Sequence, residues 1–186
     1  MHLHKNIPMG AGLGGGSADG SFALKMINQQ FQLNLSDAQL IEYALLLGSD
    51  CPFFILNTPC IGKGRGEILT PVALDISAFK ILIINPGIHI NTGWAFSQVT
   101  PRIPTLSIEQ IIQQPIETWK AQLSNDFEQP VCKQYPEIAA LITQLYNAKA
   151  VYAALSGSGS TVFALFEKSD SLQLSFPNHY YSKLVD

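Results

Sequence analysis

Charge is what this sequence has least of. Only 13% of its 186 residues are Asp, Glu, Lys or Arg, and the formal net charge is −3. The 11 basic residues gather into no cluster or stripe, which excludes the electrostatic footprint of a nucleic-acid partner. Cysteine is scarce as well. Cys51, Cys60 and Cys132 are an odd number without a Cys-x-x-Cys spacing, so they read as ordinary thiols of a reducing compartment, not as a disulfide or zinc framework. No apolar run reaches spanning length, and the first residues lack the apolar segment of a signal peptide, which excludes a membrane partner of that kind. These absences leave a cytoplasmic protein whose expected partner is a small molecule.

What is present is enough apolar residue, 47%, for one sizeable core or two small ones. Residues 2–7 alternate like a strand, 8–16 read as a loop, and 17–29 as a helix with Ala23, Leu24 and Ile27 on one face. Ser36 and Gln39 form the signature of a capping box for a second helix, with Gly48 past its end. The stretch SDCPFFIL reads as an extended apolar segment starting at Pro52, and GKGRGEILTPV as a turn and a strand. A composition shift places a domain boundary near residues 74–79, dividing the chain into 1–76 and 77–186. Beyond it come a buried strand at Ile81–Ile84 and helices over 107–113, 116–123 and 136–147. Strands at 151–155 and 161–166 flank the loop SGSGS, and NHYYSKLV closes the chain as an edge strand. The order is α+β, with helices layered on a mostly antiparallel sheet.

The densest feature is IPMGAGLGGGSADG, residues 7–20, where five of the seven positions from Gly10 to Gly16 are glycine. Glycine loses more backbone entropy on folding than any other residue, so this cluster implies a close backbone approach. A glycine-rich turn opening a helix makes an anion site, because the first-turn N–H groups lack intrahelical partners and the helix dipole favours negative charge. The alternative is a tight turn packed on another backbone. Gly10, Gly12 and Gly15 satisfy G-x-G-x-x-G, but no second parallel strand with a ribose-binding acid follows, which disfavours a nicotinamide-dependent oxidoreductase. A Lys-Ser or Lys-Thr pair of the Walker type is also absent.

The wider pattern Pro8-Met9-Gly10-Ala11-Gly12-Leu13-Gly14-Gly15-Gly16-Ser17-Ala18-Asp19 resembles the phosphate-binding motif of the GHMP kinases. LGSDCPFF (47–54), GRGEILTPV (64–72), NPGIHINT (85–92), NDFE (125–128) and SGSGSTVFALF (156–166) agree in order along the chain. The triple glycine before Ser17 is most similar to the branch acting on a cytidylylated sugar alcohol of the non-mevalonate isoprenoid pathway. The resemblance implies a two-domain fold: a ribosomal protein S5 domain 2-like ATP-binding domain, here incomplete, then a ferredoxin-like C-terminal domain. It implies transfer of the ATP γ-phosphoryl to the 2-hydroxyl of 4-(cytidine 5′-diphospho)-2-C-methyl-D-erythritol. Pro8 to Ala18 would wrap the ATP phosphates, Mg2+ would arrive with ATP, and Lys5 matches a basic position near the nucleotide. No protein metal ligand is assigned.

By the same resemblance Asp50 is the catalytic aspartate, accepting or orienting the proton of the attacking hydroxyl; the bland reading is a turn residue. Ser17 is a possible hydroxyl ligand, with capping of the helix after the loop as its better-founded role. Thr92, Gly157 and Gly159 fall on the substrate side, although Gly157 and Gly159 equally suit an approach to the glycine loop or a tight strand connection. The family's Pro-Ala-Lys-Ile-Asn-Leu-type segment, whose lysine pairs with the aspartate, is not in this sequence. The expectation is therefore a C-terminal portion of such a kinase with impaired activity. A non-catalytic nucleotide-binding module, or another GHMP kinase such as homoserine kinase, is the alternative. His2 and His4 share a strand face that suits a metal less well than it suits ordinary strand residues. His89 reads as a solvated loop residue, Asn125–Glu128 as a cap and turn, and Trp94 and Trp119 as packing.

Overall fold

The glycine run ends where a helix can begin. In the computed structural model, which describes residues 2–101 and 104–186, α1 spans Gly15–Gln30 behind a left-handed Gly14. Ser36 and Gln39 exchange side-chain and backbone hydrogen bonds and start α2 (Asp37–Leu47), which stops at Gly48. The third element corrects the sequence reading. Cys51–Leu56 is helix α3, not an extended segment. Pro52 lies in its first turn, where a missing N–H costs nothing, and the left-handed Asn57 ends it. Two short strands, β1 (Cys60–Lys63) and β2 (Ile68–Pro71), pair antiparallel as a hairpin.

Residues 14–74 form one compact unit around a small core of Leu40, Ala44, Cys51 and Ile55. Its key polar contact is buried: the Ser21 hydroxyl, fully enclosed, donates to the Cys51 carbonyl at 2.7 Å. That carbonyl belongs to the first turn of α3, so the bond ties the start of α3 to the second turn of α1.

The other unit comprises residues 2–13 and 75–186. β3 (Phe79–Asn85) is followed by helices α4 (Thr92–Gln98), α5 (Ile108–Ile112), α6 (Trp119–Gln122), α7 (Glu128–Gln134) and α8 (Pro136–Asn147). Strands β4 (Tyr152–Leu155), β5 (Val162–Glu167) and β6 (Tyr181–Val185) complete an antiparallel sheet in the order β4-β5-β3-β6. This is the strand order of a split βαβ, ferredoxin-like sheet, with the helical layer inserted between β3 and β4. Residues 168–180, between β5 and β6, contain no helix. One face of the sheet (Leu82, Ile84, Ala153, Leu155, Val162, Ala164, Phe166) packs on the Ile138, Leu141, Ile142 and Leu145 stripe of α8. On the other face Trp119 sits edge-to-face on Tyr152, whereas Trp94 packs against the α8-side core and makes an edge-to-face contact with Tyr135. Both tryptophans are packing residues.

Residues 2–7 form no strand. Their alternation is real, but a strand exists only through a ladder, and among the described residues no strand forms a ladder with them. His2 and His4 are exposed, and no group of three metal-ligating side chains gathers among the described residues.

Replacing Ser21 with Ala removes the buried hydroxyl that bonds the Cys51 carbonyl and joins α1 to α3. The expected cost is about 1–3 kcal/mol in urea denaturation of the 14–74 unit, read from a probe within α1–α3.

Candidate functional site

The residues singled out in the sequence fall into two sets, one in each unit. In the larger unit, Gly10 and Gly12 have positive φ, and the loop they shape lies on the loop between β4 and β5. A Cβ on Gly12 would stand 2.2 Å from the Ser156 carbonyl oxygen and 2.9 Å from that of Gly159. Only glycine permits this backbone-on-backbone contact. The Ser156 hydroxyl donates to the Gly12 carbonyl at 2.7 Å, and the Thr161 N–H to the Ala11 carbonyl at 3.2 Å. Gly157 and Gly159 are also left-handed, and their absent side chains would meet Gly12, or Ile90 and Leu155. Gly159 is therefore enclosed by protein, while Gly157 is exposed and turned to the glycine loop.

Segment 85–92 braces the same loop. Buried Asn85 donates from Nδ2 to the Thr161 hydroxyl at 2.9 Å and accepts the Gly87 N–H through Oδ1, while the Ser160 hydroxyl donates to the Ile88 carbonyl. His89 borders Gly10. Thr92 is exposed at the first position of α4, capped by Asn91, whose Oδ1 accepts the Trp94 N–H. Lys5 and Pro8 are half-buried and Met9 is exposed.

Asn125 and Glu128 were passed over in the sequence as a cap and turn. Asn125 does cap a turn, accepting the Phe127 N–H, but its amide also donates to the carbonyls of Leu155 and Gly157 at 2.9 and 2.8 Å. Glu128 accepts the Leu155 N–H at 2.8 Å. Its negative charge adds to burial in pushing the Cys132 thiol up to about 11.

In the 14–74 unit, α1 opens at Gly14, whose absent Cβ position lies 2.9 Å from the Phe54 ring. No side chain caps the helix and no acid sits in its first turn, so its first N–H groups and positive dipole end are open to an anion. The N-cap is thus Gly14; Ser17 lies inside the first turn and does not cap it, because the left-handed entry that the glycine allows starts the helix at Gly15. A Cβ on Gly16 would touch nothing within 4 Å.

Asp50 is the N-cap residue of α3 and makes no capping bond. It is exposed, and its Oδ1 lies 3.3 Å from where a Gly66 Cβ would stand, so the hairpin turn leaves room for the carboxylate. Ser49 donates to it at 3.4 Å. In the same turn Glu67 accepts the Arg65 N–H, and backbone donors hold its carboxyl below the ordinary range. Within the 14–74 unit, an exposed carboxylate suits a proton acceptor and an uncapped helix N-terminus suits an anionic ligand.

Comparison with known proteins agrees. The GHMP kinases N terminal domain matches residues 1–58, and the GHMP kinases C terminal domain matches residues 107–182. The chain belongs to the GHMP kinase family. It is 46% identical over 172 residues to a 4-diphosphocytidyl-2-C-methyl-D-erythritol kinase of Bacteroides fragilis, and 48% identical to one of Bacteroides thetaiotaomicron. In each case 92% of this chain aligns with 63% of the relative, so the chain spans less than two thirds of their length. A crystal structure of 4-(cytidine 5′-diphospho)-2C-methyl-D-erythritol kinase superposes with a TM-score of 0.76 at 31% identity, covering 88% of this chain and 60% of that one. A homoserine kinase structure from Cytophaga hutchinsonii, 15% identical with a TM-score of 0.66 over 98% of this chain and 68% of that one, shares the fold.

Gly12→Ala puts a side chain into a carbonyl and strains a left-handed residue. It is expected to cost about 2 kcal/mol or more and to expose the Thr161 amide to hydrogen exchange; unchanged exchange at Thr161 would show that the two loops do not depend on this contact.

Proposed function

We propose that this GHMP kinase chain binds ATP and serves transfer of its γ-phosphoryl to the 2-hydroxyl of 4-(cytidine 5′-diphospho)-2-C-methyl-D-erythritol, in the cytoplasm. The observation that carries the reading is the start of α1. Gly16 has open space around it, an ordinary helical backbone and no neighbour that a methyl group would strike. Nothing inside the protein asks for glycine there. A ligand that must come close to the first-turn N–H groups does, and phosphate is the ligand such a helix end favours. The names of the relatives support the choice of acceptor.

In this reading Pro8 to Ala18 hold the phosphates, with Lys5 near the nucleotide. Residues 1–76 belong to the ATP-binding domain and 77–186 to the C-terminal domain. Thr92, with the backbone at Gly157 and Gly159, stands on the acceptor side. Asp50 accepts or orients the acceptor's hydroxyl proton, and room for that proton to be taken comes from the hairpin glycine beside it. The Ser17 hydroxyl is the chain's possible oxygen ligand for Mg2+, and no group of three metal-ligating side chains gathers among the described residues. The ion would therefore come with ATP and keep mostly phosphate and water ligands, neutralising phosphate charge.

Asp50→Asn is expected to lower phosphoryl transfer about a hundredfold or more while ATP affinity stays within about twofold; equal turnover would remove Asp50 from the chemistry. Transfer to homoserine or mevalonate and not to the cytidylylated acceptor would overturn the choice of substrate, and ATP binding without transfer would favour a non-catalytic module. Gly16→Ala should stabilise the fold by up to about 1 kcal/mol and still weaken ATP binding, measured by thermal unfolding and calorimetry.

A further inference from the structure

Sheet order makes β4 an edge strand, so the outward N–H and C=O groups of its alternate residues have no ladder partner. Side chains take that place. The Tyr146 hydroxyl accepts the Ala153 N–H at 3.1 Å and donates to the Ala153 carbonyl at 2.9 Å. Two residues on, Glu128 accepts the Leu155 N–H and Asn125 donates to the Leu155 carbonyl. Two further on, the second Asn125 amide proton reaches the Gly157 carbonyl. Residues 153, 155 and 157 are thus bonded in turn by side chains from α8 and from the start of α7. The Asn125 amide has no freedom left, because its oxygen is already engaged by the Phe127 N–H.

The two ends of this row differ in what they carry. Ala153 lies within the strand. Leu155 and Gly157 flank Ser156, whose hydroxyl holds the Gly12 carbonyl, and the same loop leads to Thr161, whose N–H holds Ala11. Fixing the backbone on both sides of Ser156 fixes where its hydroxyl points. We propose that Asn125 and Glu128 are positioning residues for the glycine loop: they clamp residues 155–157 from the outer edge of β4 and so set the Gly10–Leu13 backbone in its phosphate-binding shape. This deepens the ATP-binding reading and rests on it. Neither residue touches the nucleotide in this scheme; they act through Ser156.

The test compares the whole chain with Asn125→Ala, Glu128→Ala, Glu128→Gln and Tyr146→Phe, using amide hydrogen exchange and ATP calorimetry. Asn125→Ala and Glu128→Ala are expected to speed exchange at Thr161 about tenfold and weaken ATP binding by about tenfold or more. Exchange at Leu165, in the sheet centre, should hold. Glu128→Gln keeps an acceptor for the Leu155 N–H and should restore both readouts. Tyr146→Phe loosens the same edge one step away and should cost stability without changing ATP affinity. Unchanged Thr161 exchange in the alanine variants, or the same loss of affinity in Tyr146→Phe, overturns the proposal. If Asn125→Ala does not fold, the Glu128 pair decides. If the unsubstituted chain binds no ATP, the kinase reading falls, and the exchange comparison still decides whether Asn125 and Glu128 position the loop.

Discussion

Two loops far apart in sequence meet at Gly12 with no space for a single methyl group between them, and most of the larger unit is arranged to keep them there. The 156–161 loop could not hold such a contact by itself, since a chain of Ser and Gly has little to pack and much entropy to lose. It is held from three sides: by Ser156 and Thr161 on the glycine loop, by Asn85 and the Ile88 carbonyl at the end of β3, and by Asn125 and Glu128 at the outer edge of β4. The hydrophobic sheet and α8 supply stability, and these polar contacts spend it on a shape.

The smaller unit solves a different problem. A helix N-terminus left open to an anion has unsatisfied donors, and an exposed carboxylate without a capping bond adds no stability either. What fixes both is inside. Ser21, enclosed and bonded to the Cys51 carbonyl, joins α1 to α3 just behind Asp50, while the Phe54 ring fills the space that Gly14 leaves. The Asp50 carboxylate and the start of α1 stay open while the residues next to them are locked.

Much of this was legible in the sequence, for local reasons. The Ser36–Gln39 cap, the 138–145 stripe and the paired strands around SGSGS are written in short-range patterns that tertiary packing reinforced. The misreadings have equally physical causes. Residues 51–56 form an apolar run too short for periodicity to tell helix from strand, and Pro52 suits the start of either. Residues 2–7 carry a strand's alternation, which predicts a face but not a partner. Asn125 and Glu128 look like any polar turn, because the groups they bond lie 27 to 32 residues away. Nothing local could mark them; the faint signal was that NDFE agreed with the family pattern at all.

The glycine run itself separates into two kinds of residue, a distinction composition alone cannot make. At Gly12 the protein is the reason: a carbonyl oxygen already occupies the place of a side chain, and the backbone is left-handed. Gly14 is of the same kind, with the Phe54 ring in that place. At Gly16 the protein gives no reason, and helix propensity argues for alanine. Under the proposed function, a position that would be more stable with another residue, at the open end of a helix dipole, is explained by a phosphate that must approach the backbone there. On the same reading Gly16, which no neighbour constrains, speaks to the ligand, and Gly12, hemmed in by a carbonyl oxygen, speaks to how the loop keeps its form.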